Sequence, residues 1–355
     1  MSNPSIDVTI LGGSGYGGGE LYRLLLQHPN IGSIAGVAQR QAGRPVSDVH
    51  PHLRGLIDAE LLAEPDWVAL AEVESPVLFA ALPHGEFGRL YAGYREQWSQ
   101  LGLLDRLRVV DLSGDFRLAD PAVFQQAYGG AHPCPQFLAE FEYGFADWQP
   151  ARLRSATRVA NPGCFATALN LGLLWLARLP PALRPDQVAI SAITGSSGSG
   201  ASASDTTHHP TRAHDFRAYK PLQHQHRFEV AAALQRAGWA APFSLVTHSA
   251  PLVRGIYATL QFAAGQCTTA DLDGAFREAF AHSPGVRRVP MPRLAAVVGT
   301  NFGDLGCALA DGHGSVMVAL DNLGKGMAGQ AIQNMNMMLG LPGDRGLRAA
   351  AIFPG

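Results

Sequence analysis

The stretch VANPGCFATA, residues 159–168, sets Cys164 between a Pro-Gly corner and an apolar run. The pattern predicts a helix that opens at or just after Cys164. A helix N-terminus aims partial positive charge at such a sulfur and favours thiolate over thiol. Pro162-Gly163 makes the corner that exposes it. The usual fate of a free cysteine is to act as a small buried hydrophobe, and that reading is kept for Cys134, Cys267 and Cys307. The four cysteines lie far apart with no CxxC pair, so neither a metal centre nor a disulfide framework is expected.

A second stretch with chemistry in it is Gly12-Gly13-Ser14-Gly15-Tyr16-Gly17-Gly18. Gly12, Gly15 and Gly18 lie three apart, after a β-branched run and before a helical one. Glycines there let the backbone approach a pyrophosphate, and the helix N-terminus offers it N–H groups. The alternative is a tight turn with no ligand. An NAD-specific fold usually has an acidic residue at the end of its second strand. Here no Asp or Glu occurs between Glu20 and Asp48, whereas Arg40 and Arg44 do. A guanidinium suits a 2′-phosphate, so the expected cofactor is NADP (NADPH).

A nucleophilic thiolate with a nicotinamide suggests attack on an activated acyl carbon, a thioester, and reduction to an aldehyde. That needs a proton donor and an anion site. QHQHRFEV, residues 223–230, offers His224, His226 and Glu229. If it opens a helix, His226 and Glu229 share a face, and the carboxylate can orient the ring. GSSGSG, residues 195–200 with Ser197 inside, can curl into a nest of N–H groups for phosphate.

These residues need elements to position them. DVTIL (7–11), IGSIAGVA (31–38), PVLFAALP (76–83) and LRVVDLS (107–113) read as buried strands alternating with helices, which implies a parallel sheet. Leu21, Leu24, Leu25 and Leu26 give the first helix an apolar face that ends by Pro29. After about residue 158 the runs QVAISAIT, FSLVTHS and GIYATLQFAA suggest a second, α+β domain with a more antiparallel sheet. Residues 195–215 read as a functional or mobile loop, and residues 324–341 as a helix with a Met and Ile face. The 355 residues suit two domains. Lys+Arg 27 against Asp+Glu 29 gives no basic surplus for nucleic acid or a membrane surface. The run from Cys164 to Leu179 holds Thr, Asn and Arg and falls short of a membrane span. No basic region precedes the first apolar run, so a signal peptide is not expected, and a cytoplasmic location is the default.

The stretches GGSGYGGGEL, VSDVHPHLRG, ALPHGE, VVDLSGDFRL, NPGCFATA, GSSGSG, YKPLQHQHRFE, RGIYATL and DNLGKGMAGQAIQNMN run in an order that resembles the N-acetyl-gamma-glutamyl-phosphate reductase family, related to aspartate-semialdehyde dehydrogenase. The likeness spans essentially the whole chain. It implies an α/β fold: a Rossmann-type dinucleotide-binding domain, 1–158, rejoined by a C-terminal helix, 326–355. Residues 159–325 would form an α+β catalytic and dimerisation domain with a mixed, largely antiparallel sheet, in a homodimer or homotetramer. The implied activity is NADPH-dependent reduction of the small molecule N-acetyl-L-glutamyl 5-phosphate in arginine biosynthesis. Cys164 matches the nucleophile, His226 the acid/base and Glu229 its orienter, with His224 and His248 as further histidines. Arg117, Tyr219 and Arg254 would line the substrate pocket. Gly12, Ser14, Gly15, Tyr16 and Gly18 match the pyrophosphate loop, and Asn322 and Lys325 the segment that closes over the cofactor.

The chain departs from the family's usual wording in three places. His-Gln-His-Arg-Phe-Glu replaces His-Arg-His-Thr-Pro-Glu and loses a helix-start proline. GSSGSGA replaces GVSGAGR and loses an arginine, for which Arg212 and Lys220 are candidates. THSAPL replaces PHLVPM but keeps His248. An aspartate-semialdehyde dehydrogenase would carry its histidine just after an Arg-Gly pair, where this chain has Ile256. A non-catalytic NADPH-sensing module would keep the glycine loop without needing an activated thiol.

Overall fold

The computed structural model describes residues 5–352; the outermost positions of the expected domain limits, 1–4 and 353–355, lie outside them. The chain divides into two compact units, the first of residues up to Pro162 plus Met327–Leu347, the second of Gly163–Gly326 plus the residues from Arg348 on. The helix Gly329–Met338 groups with the first unit. The described residues from Arg348 to Ile352 group with the second.

The first unit is built on six parallel strands: β1 (Ile6–Leu11), β2 (Ile31–Val37), β3 (Ser75–Ala80), β4 (Arg108–Asp111), β5 (Glu142–Tyr143) and β6 (Arg158–Ala160). Their order is β2-β1-β3-β4-β6-β5. The order reverses at β1, so its carboxyl end opens at a topological switch point, where such sheets bind ligands. β1 and β3 are buried almost throughout, as strands covered on both faces must be. On one face pack Leu21, Leu24 and Leu25 of helix Tyr16–Leu25 with Ile332 and Met335 of helix Gly329–Met338. On the other pack Trp67, Phe87, Tyr91 and Trp98.

The second unit holds β7 (Val188–Thr194), β8 (Arg217–Tyr219), β9 (Phe243–Ser249), β10 (Ile256–Ala263), β11 (Val286–Arg288), β12 (Gly303–Ala310) and β13 (His313–Leu320). The sheet order is β11-β12-β13-β10-β7-β9-β8. Only β11/β12 and β7/β9 pair in parallel, so the sheet is mixed and largely antiparallel. Burial alternates along β7 and β10, the signature of one covered face. Its cover is the helix Cys164–Ala177, buried from Phe165 to Ala177 and lying against β10, β12 and β13 and against helices His226–Arg236 and Thr269–Phe280. A helix apolar on all sides belongs inside a core. The indole of Trp175 donates to the Leu272 carbonyl at 2.6 Å, which locks the far end.

The expected helix over 324–341 starts differently. Residues Gly324–Ala328 form a π-turn, with the Gly326 amide donating to the Asp321 carbonyl at 2.8 Å, before the α-helix Gly329–Met338. Residues 195–215, read as a functional or mobile loop, contain the turn Ser196–Ser199 and the short helix His209–Arg212.

Candidate active site

The helix does begin at Cys164, with Gly163 as its extended N-cap. Cys164 is half-buried and forms no disulfide among the described residues. The other three cysteines differ. Burial pushes the Cys134 thiol up to about 12 and raises those of Cys267 and Cys307. Cys307 also receives the Arg288 Nη2 donor at 2.9 Å.

Two side chains of the helix His226–Arg236 grip the turn before the sulfur. The Glu229 carboxylate accepts the Gly163 amide at 3.0 Å. Its other oxygen lies 3.8 Å from His226 Nε2. The His226 ring rests so closely on Gly163 that a Cβ there would overlap the imidazole. Only glycine leaves that seat open. Both His226 and Glu229 are buried.

The helix starts at His226, with Gln225 as its N-cap and without the family's proline, and His224 satisfies its first amide. Its Nδ1 accepts the His226 amide at 3.2 Å, which requires that nitrogen unprotonated. Burial, with His226 and Lys220 nearby, pushes the His224 pKa down to about 3. The ring is packed by Phe165, Tyr219 and His226, with centroids 5.1, 5.8 and 4.7 Å away. His224 therefore acts on His226 by holding its backbone. His248 is not brought into this group: it lies on the less covered face of β9, stacked on Phe216 at 5.1 Å.

Tyr219, on the edge strand β8, has its phenol pushed up by burial and by the Cys164 sulfur. Arg254 forks onto Asp321, with Nε and Nη2 each 2.9 Å from a carboxylate oxygen. Asp321 also accepts the amides of Gly299, Leu323 and Gly324. The neighbouring Asn322 donates to Ser197 Oγ at 2.9 Å and accepts the Gly255 amide at 2.7 Å. Lys325 is fully buried, and Gly326 lies against the Cys164 Cβ.

The nest expected from residues 195–200 does not form. The amides of Gly195, Ser196 and Ser197 donate to the carbonyls of Gly255, Leu252 and Val253, at 3.0, 2.8 and 3.0 Å. The amides of Gly198 and Gly200 turn back on the loop itself. Ser197 is buried with its hydroxyl on Asn322. The RG segment after β9 uses the donors that a phosphate would need.

In the first unit, Gly12 has φ +79°, and a Cβ on it would overlap the Ala81 carbonyl. A Cβ on Gly18 would press into the Gly13 backbone. Such a turn fits close approach of a pyrophosphate. Gly15 is the N-cap of helix Tyr16–Leu25, Tyr16 is exposed, and Ser14 is half-buried between them. Arg40 is exposed in the turn Gln39–Gln41 just past β2. Arg117 donates through Nε to the Asn161 carbonyl at 2.7 Å and through Nη2 to Leu112 at 3.1 Å.

Some supports escaped sequence reading. His50, buried and kept neutral by burial, holds the Gly13 carbonyl at 2.7 Å. Asp321 anchors Arg254, and Gly163 seats His226. His50 and Asp321 stand inside recognisable motifs, but their partners are 37 and 67 positions away. The only local signal at Gly163 was the corner itself.

Comparison with known proteins completes the description. Residues 7–156 match the semialdehyde dehydrogenase NAD binding domain family, and residues 164–322 the semialdehyde dehydrogenase dimerisation domain family. The chain is 38% identical over 366 residues to a LysW-L-2-aminoadipate 6-phosphate reductase of Deinococcus radiodurans, covering 100% of both. It is 40% identical over 358 residues to an N-acetyl-gamma-glutamyl-phosphate reductase of Frankia casuarinae, covering 98% of this chain and 99% of that one. Its fold matches aspartate semialdehyde dehydrogenase II from Vibrio cholerae with TM-score 0.68 at 14% identity, over 94% of this chain and 98% of that one.

Proposed function

The chain belongs to the semialdehyde dehydrogenase family, and from that premise we propose that it reduces N-acetyl-L-glutamyl 5-phosphate to N-acetyl-L-glutamate 5-semialdehyde and phosphate in arginine biosynthesis, with NADPH. The observation that carries the reading is the Cys164 corner: a thiol at the first position of a buried helix, with Glu229 and His226 both fixed on the preceding residue.

Cys164 attacks the acyl carbon as a thiolate, favoured by its helix N-terminus. The acyl–oxygen bond breaks, phosphate leaves, and a thioester remains on the sulfur. NADPH, when bound, supplies the hydride that reduces this thioester. His226, oriented by Glu229, gives a proton to the oxyanion and takes it back as the C–S bond breaks, which releases the aldehyde and restores the thiolate. Gly12, Ser14, Gly15, Tyr16 and Gly18 would hold the pyrophosphate and Arg40 the 2′-phosphate. Tyr219 and Arg254 belong to the substrate's surroundings, and Arg117 keeps its assignment toward the substrate. Asn322 and Lys325 keep their assignment toward the cofactor.

The match of residues 164–322 to a dimerisation domain family supports a homodimer. Among the described residues no helix is long and apolar enough to cross a membrane. Four free cysteines suit a reducing cytoplasm.

A second substrate is favoured by the complete overlap with the Deinococcus protein. Its named substrate, a LysW-linked L-2-aminoadipate 6-phosphate, has a side chain one methylene longer than that of a glutamyl 5-phosphate and carries LysW where the other carries acetyl. Assay of NADPH oxidation with both acyl phosphates decides. One methylene is worth about 10–200-fold in kcat/KM, and the glutamyl compound is expected to lead. A lead for the aminoadipyl compound moves the enzyme to the lysine pathway. Cys164→Ser should lower kcat by at least ~10³-fold; retained activity ends the thioester reading. Equal kcat/KM with NADH and NADPH removes the role of Arg40.

A further inference from the structure

An acyl phosphate brings two or more negative charges to the thiol, and something must receive them. The loop at 195–200 has its amides on backbone carbonyls, and Arg254 is neutralised by the buried Asp321. Building on the acyl-phosphate reading, the geometry points to Arg212 as the residue that takes the phosphate group of the substrate and holds it as it departs.

Arg212 closes the short helix His209–Arg212 and is half-buried. Nη1 donates to Ser249 Oγ, and Nη2 to the carbonyls of Ala250 at 2.8 Å and Thr194 at 3.3 Å. Nε is buried with no partner among the described residues. Every acceptor it has is neutral. The nearby acid, Asp215, is paired with Arg217. A half-buried guanidinium without a counter-ion is costly to keep and is suited to an anionic ligand, because its planar fork matches phosphate oxygens. Its position fits as well. Arg212 holds Ser249, which pairs with Arg217 two residues before Tyr219 on β8, and the Tyr219 ring lies 5.8 Å from that of His224, which packs on Phe165 beside Cys164. The Thr194 carbonyl that Arg212 holds leads directly into the Ser197 turn.

The test runs the reaction toward acyl phosphate, with semialdehyde, NADP⁺ and inorganic phosphate as reactants. In Arg212→Gln the KM for phosphate should rise about tenfold or more, the loss of one charge-assisted contact. The KM values for semialdehyde and NADP⁺ should stay within about twofold. Arg212→Lys, which keeps the charge but not the fork, should fall between. If only the lysine variant folds, a phosphate KM raised about threefold or more supports the assignment. An unmoved phosphate KM in the folded variants, or a rise in the semialdehyde KM instead, overturns it. A wild-type enzyme with no phosphate-dependent oxidation would refute the acyl-phosphate reading itself.

Discussion

The glycine turn after β1 and the Cys164 corner after β6 have the same outline: a strand ends, the chain turns, and a helix opens. They are held by opposite means. The turn after β1 is shaped by what its residues lack. Gly12 has a positive φ under the Ala81 carbonyl, and Gly18 fits against Gly13 because neither has a side chain. The Cys164 corner is shaped by side chains that arrive from elsewhere: Glu229 on the Gly163 amide and the His226 ring on its Cα. A site for a backbone-hugging ligand can be assembled from steric absence. The proton and acyl chemistry proposed for Cys164 needs groups with charge and hydrogen-bonding direction, and these come from a distant helix.

The sharpest way to break that contrast is Gly163→Ala. The new methyl would displace the His226 ring, and a misplacement near 1 Å costs on the order of 10²-fold in rate. Single-turnover kinetics should show kcat falling by about that factor with little change in melting temperature. An unchanged kcat would mean that the seat of His226 is irrelevant. Gly12→Ala attacks the other turn. A non-glycine residue at this φ costs roughly 1–2 kcal/mol, and NADPH affinity in a fluorescence titration should fall about tenfold. Normal affinity would show that the turn tolerates a side chain. The smallest effect is expected from His224→Asn, whose Oδ1 can still accept the His226 amide. The kcat should change by less than about threefold. Its signature lies in acid stability. The unfolded imidazole titrates near 6.5 and the folded one near 3, so stability from this group is complete above about pH 6.5 and is lost as pH falls toward 3. The asparagine variant should show a shallower decline in that window; an identical decline would remove His224 from the acid sensitivity.

What could be read from the sequence follows the same division. β1, the glycine turn and helix Tyr16–Leu25 are consecutive, so local sterics and apolar spacing were enough. The start of the Cys164 helix and the His226–Glu229 pairing were visible for the same reason: each is decided within four residues. The grip of Glu229 on Gly163 joins positions 66 apart, and nothing local announces it. The loop at 195–200 misled because Gly and Ser supply free amides only while no other backbone claims them, and the carbonyls of residues 252–255 do. Without the family's proline before Glu229 the helix still starts at His226, whose amide the His224 imidazole accepts.

The stem behind Cys164 is enclosed from Phe165 to Ala177, wedged between a sheet and two helices, and tied down at Trp175. Such a mount can neither slide nor rotate to follow its reactant. For the reaction proposed at Cys164, tolerance for acyl chains of different length would therefore reside in the walls around the sulfur, and an engineer wishing to change it should leave the stem untouched.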